Sequence, residues 1–172
     1  MFLQTFLRVF YLHLINQSYF FMISISIPVK KHVKKYLCKK YGDEHRISRK
    51  TFIGLLLLEL INKKIEKPSQ KFECSERYNM IIPEYYFNTK GFVIGYNKAK
   101  FLGMCLEKLF YEDFHSFVDM ELKKEKTNAY KAVVLFCRLY LIEEDDIKIE
   151  SMYRNFQRYS SEKIKEKKYT HK

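Results

Sequence analysis

Tryptophan is absent from this 172-residue chain, and glycine (5) and proline (3) are scarce. So few glycines argue against phosphate-cradling loops, and so few turn residues argue against a fold of many short strands. Helices with few connections are the expectation, in one domain long enough to bury a core. The four cysteines, Cys38, Cys74, Cys105 and Cys137, show no C-x-x-C spacing. They read as reduced thiols of a cytoplasmic protein, three of them on apolar helix faces, and not as a zinc site or disulfide framework. The patterns G-x-G-x-x-G, G-x-x-x-x-G-K-[ST], G-x-S-x-G and H-E-x-x-H are all missing. Their absence removes the usual phosphate, acyl-transfer and metalloprotease signatures. No catalytic residue, cofactor or metal ligand is expected, and the chain does not read as an enzyme.

What is present is aromatic and basic. Phe (15) and Tyr (14) make up 17% of the chain, and the formal net charge is +12. Residues 30–50 hold nine Lys/Arg against two acids, a net of +7, and residues 154–172 hold seven against two, a net of +5. These two segments carry the whole net charge, so the rest of the chain is balanced. Two basic segments around a neutral body point to an extended anionic partner, nucleic acid first, with DNA ahead of RNA. A homodimer is a second partner to test.

Residues 9–29 contain no charge and precede Lys30-Lys31. The length fits a membrane span, yet His13, Asn16, Gln17 and Ser18 interrupt it and Pro28 closes it. An apolar arm ahead of a start at Met22, an anchor and an ordinary helix all stay open. The domain reading is an apolar extension over 1–21, one globular domain over 22–160 and a basic, frayed tail over 161–172.

From Met22 the pattern becomes regular. Ile23, Ile25, Ile27 and Val29 alternate with Ser24, Ser26 and Pro28, which predicts a half-buried strand over 23–29. Lys30–Tyr41 switches to helical period: Val33, Tyr36, Leu37 and Tyr41 form an apolar stripe opposite lysines, and Gly42 is placed to cap it. Ser48 is expected to cap a helix to about Ile65. Its middle, Phe52–Ile61, is apolar nearly all round and so expected to be central in the core. After a polar loop over 67–77, strands are expected at 78–87, open to a bend at Pro83, and at 92–95, joined by a turn at Asn88–Gly91. With 23–29 they would form one small antiparallel sheet. Helices follow over Asn97–Tyr111 and Phe114–Lys124, whose continuity stays open, and over Ala129–Leu141 and Asp146–Tyr159. The fold class is α+β, mostly helical, with about five or six helices and no internal repeat.

Two constellations could meet phosphates. On the first, Lys30, Lys31, Lys34, Lys35 and Lys39 line one face of a helix, with Arg46 and Arg49 just beyond. Each phosphate neutralised there would release counterions and make binding salt-dependent. A solvated lysine face that only keeps the chain soluble is the plainer alternative, and a basic amphipathic helix on anionic lipid is a third.

The second constellation is the pair of C-terminal helices, whose outline resembles a helix-turn-helix. On the last helix Lys148, Ser151, Arg154, Asn155 and Arg158 fall on one side, with Lys163 and Lys165 beyond. However, its entry carries Glu143, Glu144, Asp145 and Asp146. Four acids would face a polyanion, so contact is expected through the C-terminal half of the helix. A contiguous acidic run cannot converge as a two-metal site does. His115, between Phe114 and Phe117, reads as a core-edge histidine. Tyr85, Tyr86 and Phe87 could stack bases, but read more simply as strand aromatics serving both sheet faces.

The stretch AYKAVVLFCRLYLIEEDDIKIESMYRNFQRY, with YNMIIPEYYFNTKGFVIG before it, resembles small uncharacterised proteins encoded by phages and other mobile elements of gut-type bacteria. The resemblance spans Met22 to Tyr159 and carries no catalytic or binding signature. It implies an accessory role on an element that handles DNA and assigns no residue.

Overall fold

The computed structural model describes residues 23–63, 76–124 and 127–170. The apolar extension expected over 1–21, Cys74 and most of the expected polar loop lie outside them. The described elements run β1 (Ile23–Val29), α1 (Lys31–Tyr41), β2 (Glu44–Arg46), α2 (Phe52–Leu60), β3 (Glu76–Ile82), α3 (Glu84–Lys90), α4 (Tyr96–Leu122), α5 (Ala129–Leu139) and α6 (Ile149–Thr170). The architecture is α+β and mostly helical, as the periodicities predict.

β1 lies where the alternation places it, with Ile25, Ile27 and Val29 buried. On its other face the Ser26 hydroxyl donates to Asn79 Oδ1 at 2.8 Å. β1 pairs antiparallel with β3, Ile23 opposite Ile82 and Val29 opposite Glu76. β2 pairs parallel on the far side of β3, Glu44 opposite Asn79, giving the order β1-β3-β2. The sheet is therefore mixed, not wholly antiparallel, and its third strand is β2. The strand expected at 92–95 contributes only an isolated bridge between Val93 and Asn62.

The strand expected over 78–87 ends at Ile82, and proline chemistry explains why. Pro83 has no N–H for the ladder, and its fixed φ starts a helix well. Its carbonyl accepts from the N–H groups of Tyr86 and Phe87 at 2.9 and 3.1 Å, and α3 follows. Asn88–Gly91 is thus the end of a helix and not a hairpin turn. Gly91 takes φ 94, and a Cβ there would come within 2.4 Å of the Asn62 carbonyl oxygen, so only glycine fits.

α2 is shorter than expected. Thr51, not Ser48, caps it, its hydroxyl accepting from the Gly54 N–H at 3.2 Å. The helix is not buried all round: Ile53, Leu57 and Leu58 face the core, while Phe52 is 69% and Leu55 48% exposed.

The two helical stretches expected across 97–124 form one helix, α4, which begins after Gly95. At 1.5 Å per residue it is about 40 Å long and forms the spine of the core. Leu102, Leu106, Phe110, Phe114 and Val118 on one face are buried. Where α4 crosses β1, Gly103 allows contact: a Cβ there would lie 2.3 Å from the Pro28 carbonyl oxygen. Gly103→Ala should therefore lower stability by about 1–3 kcal/mol despite alanine's better helix propensity, because backbone must move apart. Urea unfolding of the variant checks this, and a gain in stability would contradict the packing.

Asn128 caps α5, its side chain accepting from the Lys131 N–H at 2.9 Å. The helix closes with the Ile142 N–H on the Cys137 carbonyl at 2.8 Å, while Leu141 adopts φ 54. This is the hydrogen-bond pattern of a Schellman ending, with leucine where glycine is usual. α6 starts three residues later than expected, after Lys148, whose carbonyl accepts from Ser151 and Met152. It continues to Thr170, so residues 161–170 remain helical instead of fraying.

Among the described residues no helix is long and apolar enough to cross a membrane. The last seven residues of the uncharged segment 9–29 are β1, a strand inside the sheet.

Candidate nucleic-acid interface

α1 presents its lysines as the 3.6 period requires. His32, Val33, Tyr36 and Leu37 are buried, and Lys31, Lys34, Lys35 and Lys39 lie on the other side. The structure adds a feature that composition conceals: carboxylates from three directions meet this helix. Lys30 Nζ is 2.6 Å from Glu107 on α4, and Lys34 Nζ is 2.7 Å from Glu76 on β3. Lys35 Nζ bridges Glu143 at 3.0 Å and Asp146 at 2.6 Å, both in the turn before α6. Lys40 pairs with Asp113, which also accepts from the Tyr36 hydroxyl at 2.6 Å.

These pairs shift protonation in matched directions. Hydrogen bonding to Asp146 and Glu143 raises Lys35 above its ordinary value. Burial pushes Asp146 upward and is the largest single effect, but the Lys35 hydrogen bond, the Glu143 N–H and the charges of Lys35 and Lys31 together outweigh it and hold the carboxyl below its usual range. The Lys34 ammonium likewise holds Glu76 low.

The more exposed of these pairs, Lys30–Glu107 and Lys34–Glu76, are worth only about 0–1 kcal/mol, so a phosphate could displace the carboxylate. Displacement would leave an acid facing the polyanion, however, which cancels much of the gain. Of the first patch, Lys31, Lys39 and Arg46 stand in solvent, and the Arg49 guanidinium lies over the Tyr86 ring at 5.6 Å. Beside the patch, a surface groove of about 530 Å³ joins Lys35 and Lys39 to Asp43, Glu143, Cys38 and Leu141, with no preferred sign of charge.

The second patch is arranged differently. Met152 and Phe156 bury one side of α6. The His115 ring lies 4.1 Å from that of Tyr159, nearly parallel. His115 Nε2 is 2.7 Å from Asn155 Oδ1. Asn155, placed by spacing among the outward polar residues, is thus turned inward to α4. Lys163 is also held there, pairing with Asp119. Arg154, Arg158 and Lys165 point to solvent, and the nearest carboxylate to Arg154 is Glu150 at 3.9 Å, both side chains about three-quarters exposed.

Both basic segments are anchored on α4, Lys30 at Glu107 and Lys163 at Asp119. Those acids are separated by about 18 Å of helix axis. Part of the acid run that argued against α6 meeting DNA is accounted for. Glu143 and Asp146 turn back to Lys35, and Asp146 also accepts from the Glu143 N–H at 2.9 Å. Glu144 and Asp145 remain exposed.

The aromatic trio does not form a base-stacking strand. It sits on α3, with Tyr85 exposed, Tyr86 under Arg49, and Phe87 against Phe92 at 5.2 Å. Cys38 and Cys105 are half-buried free thiols and Cys137 is a buried one. Among the described residues no three His, Cys, Asp or Glu side chains gather as a metal-binding group. No protein-family model matches the chain. No curated protein and no solved structure matches it either.

Proposed function

We propose that the chain is a non-enzymatic nucleic-acid-binding protein acting in the cytoplasm, an accessory or regulatory factor of a phage or other mobile element. It would grip phosphates through its two basic segments, with α6 contributing more than α1. The observation that carries this reading is the solvent-facing row of Arg154, Arg158 and Lys165 on α6, where Arg154 meets Glu150 only loosely at 3.9 Å, against a first patch in which Lys30, Lys34 and Lys35 are closely paired with acids. Phosphate contact by three such cations gives a log–log salt slope of about −2.7, or roughly a 40-fold loss of affinity between 50 and 200 mM salt. Titrating the full chain with duplex and single-stranded nucleic acid across that range tests it, and a flat profile would overturn it.

A second reading, a homodimeric interaction module, draws on the exposed Phe52 and Leu55 of α2. Light scattering separates the two: a stable dimer with no nucleic-acid affinity would favour the module.

A further inference from the structure

We infer that α6 itself reads duplex DNA, lying in the major groove with Arg154, Gln157, Arg158, Ser161 and Lys165 toward the base edges. This rests on the nucleic-acid reading above and goes further by naming the form of nucleic acid and the element that meets it.

Helical geometry places the row. At 100° per residue, Arg154, Arg158, Ser161 and Lys165 fall within one narrow sector of the helix, centred opposite Met152 and Phe156. Those two are buried while all four of the row are exposed, so the row faces directly away from the protein. Between its side chains runs an open trough of about 350 Å³, lined by Arg154, Gln157, Arg158, Ser161, Glu162 and Lys165. Five of those six residues can donate hydrogen bonds, and only Glu162 is acidic.

The size and chemistry select the partner. Arg154 to Lys165 spans about 16 Å of helix axis, and a B-form major groove, about 12 Å wide and 8.5 Å deep, admits a helix. The A-form major groove of duplex RNA is too narrow and deep for side chains to read. Arginine presents a fork of donors to guanine O6 and N7, glutamine pairs with adenine N6 and N7, and serine suits either.

The opposite side of the helix is held firmly, by the His115–Asn155 hydrogen bond, the His115–Tyr159 stack and the Lys163–Asp119 pair. The outward row is therefore presented at a fixed rotation. Glu144 and Asp145 at the entry keep the N-terminal end away from the phosphates, so contact falls on the middle and C-terminal parts of the helix.

The test uses the full chain and fluorescence anisotropy. Short duplex DNA, duplex RNA of the same sequence and the single strand are compared at one salt concentration, and the DNA is also prepared with 7-deazaguanine, which lacks the N7 acceptor. Duplex DNA is expected to bind about tenfold or more tightly than duplex RNA, and the N7 deletion should weaken it several-fold. R154A/R158A should lose about tenfold or more, the scale of one lost base-edge fork, and K31A/K39A distinctly less. Circular dichroism and melting of each variant establish that the fold is retained, which these exposed positions permit. Should salt-dependent binding persist but be equal for duplex RNA, or indifferent to N7, or as sensitive to K31A/K39A as to R154A/R158A, the major-groove inference falls while the nucleic-acid reading stands. Absence of binding to any of these probes overturns both.

Discussion

Phe110→Ala should lower the free energy of unfolding by about 4 kcal/mol, near the middle of the range for a large aromatic truncated in a core. Phe110 is fully buried at the midpoint of α4. Its ring meets those of His32 and Tyr36 on α1, Tyr111 and Phe114 on its own helix, and Phe136 on α5. Among the described residues no other side chain touches as many aromatic partners, and these come from three helices, so truncation opens a cavity at the junction of all three. Against a typical total of about 5–15 kcal/mol, a loss of that size removes a large part of the margin. Urea or thermal unfolding measures it. A loss below 1 kcal/mol would mean that the three helices can close around the void and are not rigidly packed at this point.

Acidification should weaken the fold well before its carboxylates titrate. His32 and His45 are 4% and 7% exposed, and both nitrogens of His32 and Nε2 of His45 have no hydrogen-bond partner. Burial lowers both below the ordinary 6.5. For His32, Glu107 and the backbone of Asp146 oppose that effect in part, and Lys30 adds to it. The unfolded chain therefore takes up protons near pH 6.5 that the folded chain refuses. Stability is highest above that value and is lost as the pH falls below it, until the folded histidines finally titrate. The slope reaches at most about 1.4 kcal/mol per pH unit for each histidine. Melting temperature measured from pH 7.5 to 5 checks the sign. The double variant H32L/H45L should make the curve shallower over that window, leaving the share of His115, which burial also lowers, whereas an unchanged curve would assign the dependence to other groups.

The sequence was most legible where one face of an element had one job. β1 alternates cleanly because its isoleucines face the core and its serines do not, and α1 and α6 show their stripes for the same reason. β2 was invisible. Glu44-His45-Arg46 has a single inward residue, and its histidine becomes apolar in effect only through burial against Tyr41, with ring centroids 5.0 Å apart. β-branched and aromatic residues in Tyr78–Phe87 read as one long strand, yet the backbone chemistry of Pro83 overrides side-chain preference beyond Ile82.

The candidate site divides in the same way. Which residues are basic, and on which helix faces, follows from spacing. Which of them are already satisfied does not, because Glu76, Glu107, Asp113 and Glu143 are distant in sequence from the lysines that they meet. The inward turn of Asn155 also depended on His115, 40 residues earlier. His115 itself, expected at the edge of the core, is half-buried there against α6.

The sheet's strand order bears on how the chain is made. β3 is the central strand, but it is synthesised after both of its neighbours, and the β1–β3 ladder joins residues from Val29–Glu76 out to Ile23–Ile82. At ribosomal speeds of about 5–20 residues per second, β1 waits roughly 2–9 seconds for its template. During that interval the isoleucines of β1 and the leucine run of α2 are in the nascent chain with no sheet to cover them. The sheet cannot close until the seven residues of β3 have been made, because both of its other strands hydrogen-bond to β3 and not to each other.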